Sequence, residues 1–181
     1  RRYVRAGDSV LDICSYAGAW GVTAALSGAA EVLCVDASQP ALEQTARNAA
    51  LNSVQEQVAT LHGDAFEMLK KLAADGRRYN MVILDPPAFI KRRRDAKEGE
   101  QAYHRLNSLG LEVLNSDGIL VTSSCSFHME QSKLLNVTRQ AAIKQNAGLR
   151  LLEYGQQRQD HPVHPAIPET AYLKTLFLHK R

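Results

Sequence analysis

Four acids and a thiol stand at or just beyond the ends of five successive apolar runs: Asp12, Asp36, Asp64, Asp85 and Cys125. Surface acids scattered at random would not keep that register. A carboxylate can accept from both hydroxyls of a ribose diol, which suits Asp36. The plain alternative is that Asp36 caps the following helix. Asp64, in Gly63-Asp64-Ala65-Phe66, has a stronger claim to be an N-cap, and it can also accept from the amino group of an adenine. Cys125 sits among Thr122, Ser123, Ser124 and Ser126. A thiolate there can add to an electron-poor ring carbon, whereas a free cysteine without function is usually a small buried hydrophobe. Cys14 and Cys34 fit that second description.

The segment from Asp12 to Gly21 is a turn of small residues, with Ser15, Tyr16 and Gly18 at its centre. It has neither the G-x-G-x-x-G pattern of dinucleotide sites nor the P-loop pattern. That disfavours a dehydrogenase. A phosphate is unattractive beside Asp12, so a ligand with a cationic or neutral centre fits better. Asp85-Pro86-Pro87-Ala88-Phe89 is a rigid turn, because two prolines fix the backbone and remove two donors. Phe89 can stack on a base or pack at the sheet edge.

The elements that must position these residues follow from the apolar pattern. Strands are expected at Ser9–Ile13, Glu31–Asp36, Val58–Leu61, Tyr79–Asp85 and Ile119–Ser123, with two more at Leu149–Tyr154 and Tyr172–Leu178. Helices are expected at Gly18–Gly28, Pro40–Asn52 (capped by Ser38), Asp64–Ala74, Glu100–Asn115 and Met129–Gln145. Phe89–Gly99 reads as a polar, basic, irregular and mobile loop, and Asp117-Gly118 as a turn. Continuous apolar strands alternating with helices predict an α/β fold with a mostly parallel sheet covered on both faces.

The 181 residues suit one domain spanning 1–181, and its 45% hydrophobic and 23% charged residues are ordinary for a globular chain. No apolar run is long enough to cross a membrane, and no signal-like segment is visible. The chain opens on Arg1 rather than Met and reads as a piece of a longer protein. Three cysteines without a C-x-x-C spacing argue against a disulfide framework and for a reducing, cytoplasmic compartment. Asp160, His161 and His164 lack a further ligand, so no metal is expected. The net charge of +3 is small, but Lys91, Arg92, Arg93 and Arg94 are concentrated beside the Asp-Pro-Pro turn. Such a cluster can grip phosphates without reading sequence, or can simply be a solvated charged loop.

Taken in order, the glycine turn, the acid after the second strand, Gly63-Asp64-Ala65-Phe66, Asp85-Pro86-Pro87-Ala88-Phe89 and Ser123-Ser124-Cys125-Ser126 resemble the class I S-adenosylmethionine-dependent methyltransferases. Within them the set is most similar to the bacterial 23S ribosomal RNA 5-methylcytosine methyltransferases of the large subunit methyltransferase I type, over essentially the whole chain. The resemblance implies a Rossmann-like, seven-stranded fold. It implies S-adenosylmethionine held by Asp12, Ser15, Tyr16, Gly18, Asp36, Ala37, Ser38, Asp64, Ala65 and Asp85. It also implies ribosomal RNA as partner and allows a homodimer. Relatives carry an N-terminal PUA domain and a small β-rich domain, neither of which is in this sequence. Ala19 departs from the glycine that many relatives have in the first turn.

Carbon 5 of a pyrimidine is a poor nucleophile until a thiolate adds at carbon 6. Cys125 is the expected thiol, and Asp85 the group that hydrogen-bonds the ring nitrogen or amino group as charge develops. Pro86, Pro87, Phe89, Lys91, Arg92 and Arg93 are the expected substrate contacts. Some 5-methylcytosine enzymes place a second cysteine in the Asp-Pro-Pro region, and none stands there in this chain. Glu169 and His161 are the candidate bases for the carbon-5 proton. Three other readings stay open: 5-methyluridine formation with the same thiol, methylation of a purine amino group without it, and a non-catalytic nucleotide- or RNA-binding module.

Overall fold

The computed structural model describes residues 2–157 and 159–181. Its strands are β1 (Ser9–Ile13), β2 (Glu31–Asp36), β3 (Val58–His62), β4 (Tyr79–Leu84), β5 (Leu114–Ser124), β6 (Leu149–Gly155) and β7 (Lys174–Lys180). Its helices are α1 (Ala19–Leu26), α2 (Gln39–Leu51), α3 (Ala65–Ala74), α4 (Ala96–Glu112) and α5 (Gln131–Lys144). The strands form one sheet in the order β3-β2-β1-β4-β5-β7-β6. β1 to β5 are parallel, and β7 runs antiparallel between β5 and β6. This is the expected Rossmann-like α/β architecture.

Both faces of the sheet are covered because its central strands are apolar on both sides. Leu11, Ile13, Val82 and Leu84 pack with Leu69, Tyr103, Leu106 and Leu134 of α3, α4 and α5. The intervening Val10, Met81 and Ile83 pack with Val22, Ala25 and Ala49 of α1 and α2. The strand alternation thus feeds two separate cores, one per face. Parallel crossovers turn the strand ends carrying Asp36, Asp85 and Cys125 to the same side of the sheet.

Two expectations need correction. The segment before α4 is less irregular than its composition suggests. A single 3-10 turn at Arg93–Asp95 leads straight into α4 at Ala96. Gly99, expected as the last residue of that loop, lies inside the helix. A Cβ at this position would stand 2.3 Å from Ile90 Cγ1 and 3.0 Å from the Phe89 carbonyl oxygen. The glycine is there because the helix backbone presses against the segment just after the Asp-Pro-Pro turn, not because a loop needs its freedom. Likewise Asp117, at φ 60, does not precede β5 but lies within it. It falls in a bulge where the β4–β5 register shifts between Tyr79 and Met81.

Asp12 is the penultimate residue of β1 and is fully buried. Its Oδ2 accepts the Gly21 amide at 2.9 Å, and Oδ1 has no partner among the described residues. Burial pushes its carboxyl up to about 7, against the Gly21 hydrogen bond and with help from Asp85 and Asp36.

Two outcomes are expected. An alanine in a helix interior normally gains about 1 kcal/mol over glycine. Gly99→Ala should instead lose about 1–3 kcal/mol in denaturant unfolding, because the added methyl overpacks against backbone. For Asp12, a folded pKa above the unfolded one means that its contribution is complete below about pH 4 and is lost as pH rises toward 7. Unfolding of the Asp12→Asn variant at several pH values should show the wild type losing ground to the variant across that window. A pH-independent difference would count against the protonated buried acid.

Candidate active site

The first turn is wound through the left-handed region three times, at Cys14 (φ 61), Tyr16 (φ 48) and Gly18 (φ 78). Such values are uncommon outside glycine, so other parts of the structure must hold them. α2 does so. Thr45 Oγ1 donates to the Tyr16 carbonyl at 2.9 Å, and Asn48 Nδ2 donates to the Ala17 carbonyl at 2.8 Å. Gly18 lies so close to Thr45 that a Cβ would meet its Cγ2 at 2.5 Å. The turn thereby sends the Tyr16 amide to Asp36 Oδ2 at 2.8 Å, while Asp36 Oδ1 accepts the Ser38 amide at 2.9 Å. Each Asp36 oxygen takes one N–H and keeps accepting capacity for a further donor.

A cavity of about 510 Å³ opens at this end of the sheet. Its walls include Tyr16, Asp36, Ala37, Asp64, Ala65, Asp85, Pro86, Pro87, Phe89 and Cys125, all expected from sequence. Cys14, Val35, Gly63 and Phe66 complete the lining and were not expected. Asp64 is the N-cap that its sequence allowed. Oδ1 caps α3 by accepting the Phe66 and Glu67 amides at 2.9 and 3.1 Å, and Oδ2 takes no hydrogen bond from the described residues. Phe66 shows its ring to the cavity on one side and carries the Arg105 guanidinium 4.9 Å from its centroid.

Asp85 directly follows β4, its amide on the Ile13 carbonyl of β1 at 3.2 Å. Trp20 Nε1 donates to Asp85 Oδ2 at 3.0 Å. Burial raises the Asp85 pKa and the Trp20 bond opposes that. Trp20 was not legible as a site residue, because nothing in the sequence places the start of α1 against the end of β4. Parallel pairing of β4 with β5 then brings the second turn beside the first. Cys125 Sγ lies 3.8 Å from the Pro86 carbonyl oxygen, as a thiol donating to it. Burial raises the Cys125 pKa and the Asp85 carboxylate adds to this; its own backbone and Lys174 act the other way.

The neighbours of Cys125 point elsewhere. Tyr103 of α4 is fully buried, and its hydroxyl bonds Ser124 Oγ at 2.8 Å and Ser126 Oγ at 3.1 Å. Ser126 Oγ also accepts the Ile90 amide at 3.1 Å. Phe89 packs on the Tyr103 ring with centroids 4.8 Å apart. It therefore lines the cavity while packing on α4, next to the central strands and not at an edge of the sheet.

Other expected residues stand outside the cavity wall. Asp12 is sealed beneath the first turn, Ser15 is buried, and Gly18 and Ser38 start α1 and α2. Asp12 therefore shapes the turn through Gly21 instead of lining the pocket. Lys91, Arg92 and Arg93 are exposed beside the Asp-Pro-Pro turn. His161 and Glu169 are exposed on the loop between β6 and β7, where Tyr172 hydroxyl lies 3.3 Å from His161 Nδ1. No helix among the described residues is long and apolar enough to cross a membrane.

Comparison with known proteins agrees with this geometry. A protein of Methanocaldococcus jannaschii provisionally named ribosomal RNA large subunit methyltransferase MJ1653 is 37% identical over 98% of this chain and 45% of its own length. Ribosomal RNA large subunit methyltransferase I of Aeromonas salmonicida is 35% identical over 95% of this chain and 44% of its own. The chain thus spans about half the length of the curated relatives it matches. Among solved structures, SMU.776, provisionally named a methyltransferase and solved with SAH, superposes with a TM-score of 0.83. It is 26% identical, and the match covers 96% of this chain and 45% of that one. The family model described as Conserved hypothetical protein 95 matches residues 2–141, from the approach to β1 through most of α5, and this chain belongs to that family.

Proposed function

We propose that this domain transfers a methyl group from S-adenosylmethionine to carbon 5 of a cytosine in 23S ribosomal RNA, through a transient bond to Cys125. The observation that carries the reading is the thiol's placement. Cys125 faces the same cavity as Asp36, Asp64 and Asp85, while Ser124 and Ser126 on either side are buried and tied to Tyr103. A cysteine serving only as a small hydrophobe would not need neighbours so firmly turned away. The names of the relatives support an RNA methyltransferase.

The residues fit the donor. The remaining accepting capacity of Asp36 suits the two hydroxyls of a ribose, and Asp64 Oδ2 suits an amino group. Val35, Ala65 and Phe66 supply apolar wall for an adenine. Tyr16, 74% exposed at the rim, can cover what lies beneath it. When bound, S-adenosylmethionine offers carbon 5 an electrophilic methyl and leaves as a neutral thioether.

On the nucleobase side, Cys125 gives up its proton and adds to carbon 6, and the displaced electron pair makes carbon 5 nucleophilic. Asp85, whose pKa burial raises, is proposed to hydrogen-bond the ring nitrogen or amino group of the cytosine as charge develops there. The carbon-5 proton then passes to a base, and sulfur leaves carbon 6 as the double bond re-forms. Glu169 and His161 are proposed for that base; both would have to approach over the cavity from the loop before β7. Lys91, Arg92 and Arg93 are proposed phosphate contacts for a single-stranded or flipped-out nucleotide.

RNA containing 5-fluorocytidine cannot lose a proton from carbon 5, so the protein should remain attached to it. The adduct is expected only with S-adenosylmethionine present and should vanish in Cys125→Ser. Methylation of a purine amino group would leave Cys125→Ser active and would produce no adduct. For the donor site, Asp36→Ala should weaken S-adenosylmethionine binding by at least tenfold in calorimetry, since two hydroxyls lose their acceptor. An unchanged affinity would remove Asp36 from the site.

A further inference from the structure

The mechanism asks for a thiolate, yet two influences on Cys125 oppose one. Burial and the Asp85 carboxylate both favour the protonated sulfur. The titratable groups facing that sulfur are Asp85 at the end of β4, Tyr103 on α4 and Lys174 on β7. Only the last is a cation. Lys174 was not singled out from sequence, because it lies in a stretch of otherwise unremarkable β7 residues.

The sheet explains its placement. β7 pairs antiparallel with β5, and Lys174 is the register partner of Ser124, the residue before Cys125. The ammonium is not free to swing into solvent. Nζ donates to the Ser126 carbonyl at 2.7 Å and to the Tyr172 carbonyl at 2.7 Å. An ammonium has three protons, so one donor remains after these two bonds. The two carbonyls hold the charge next to the Cys125 turn, and the side chain is half-buried, where an ion pair is less screened than at the surface. Burial pulls the Lys174 pKa down, and Cys125 pulls it up.

We propose that Lys174 is a positioning residue for the methyl-transfer reaction: its ammonium, fixed by the Ser126 and Tyr172 carbonyls, stabilises the Cys125 thiolate. In the free protein the step is Cys125–SH giving its proton to water, leaving a thiolate beside the ammonium. The proposal rests on reading Cys125 as the nucleophile, but its test does not require methyl transfer.

The test is the pH dependence of Cys125 alkylation by iodoacetamide, followed by peptide mapping so that Cys14 and Cys34 are counted separately. Burial holds the Cys14 thiol up at about 12, so it should react far more slowly. Lys174→Gln keeps a donor for the carbonyls and removes the charge, whereas Lys174→Arg keeps the charge. The apparent pKa of Cys125 should rise by about one unit in Lys174→Gln and stay near the wild-type value in Lys174→Arg. A Lys174→Gln profile that overlays the wild type would overturn the proposal, since the lysine would then be only a tether. A rise in both variants would overturn it too, because the effect would follow the altered turn and not the charge. Adduct formation on 5-fluorocytidine RNA by the unsubstituted protein reports separately on Cys125 as nucleophile. A shifted profile without an adduct would leave the ion pair standing and remove the nucleophile.

Discussion

One buried hydroxyl ties the cavity end of this protein together. The Tyr103 oxygen bonds Ser124 and Ser126, and Ser126 in turn accepts the Ile90 amide. Three segments far apart in sequence meet there: the turn after β4, the turn after β5 and helix α4. None of these polar groups reaches water, so each depends on the others for its hydrogen bond. An arrangement of that kind has few alternatives, because breaking one bond strands a buried partner. Cys125 inherits its direction from the knot: with Ser124 and Ser126 turned inward, it is the residue left facing the cavity.

A second fastening does the same for the first turn. Thr45 and Asn48 hold carbonyls of a loop whose backbone passes through the left-handed region at Cys14, Tyr16 and Gly18. The strain is local, and the restraint comes from a helix some thirty residues on. The consequence is that Asp36 is already satisfied on both oxygens before any ligand arrives, which fixes its carboxylate plane. Asp64 is fixed by its cap and Asp85 by the Trp20 N–H. The three acids of the cavity are thus held in orientation by protein donors, leaving accepting positions toward the pocket. Preorganisation of this kind lowers the cost of ordering a bound ligand.

The electrostatics of the site are mixed for a reason that the topology supplies. Acids collect at the carboxyl ends of β2, β4 and the β3–α3 turn, which suits a cationic donor and disfavours a phosphate. The same field works against ionising a thiol at the end of β5. The antiparallel insertion of β7 is what brings a lysine to that end of the sheet. A fully parallel strand in the same place would present its final residues there instead of its first.

The sequence by itself determined the strand–helix order, the apolar runs and the register of acids behind them, because these depend on neighbours along the chain. It also made Asp64 an N-cap, which is a matter of the four residues from Asp64 to Glu67. What it could not determine is which residues face one another across the sheet. Asp12 looked like the other strand-end acids but is sealed beneath its turn, since it stands one residue before the end of β1 and its carboxylate meets the Gly21 amide of α1. Gly99 looked like the last residue of a loop, and is a helix residue in contact with Ile90. Trp20 on Asp85, Tyr103 between two serines and Lys174 beside Cys125 join residues separated by 21 to 65 positions. Such pairings follow from strand order and packing, which no local pattern encodes, and so only the tertiary structure decided them.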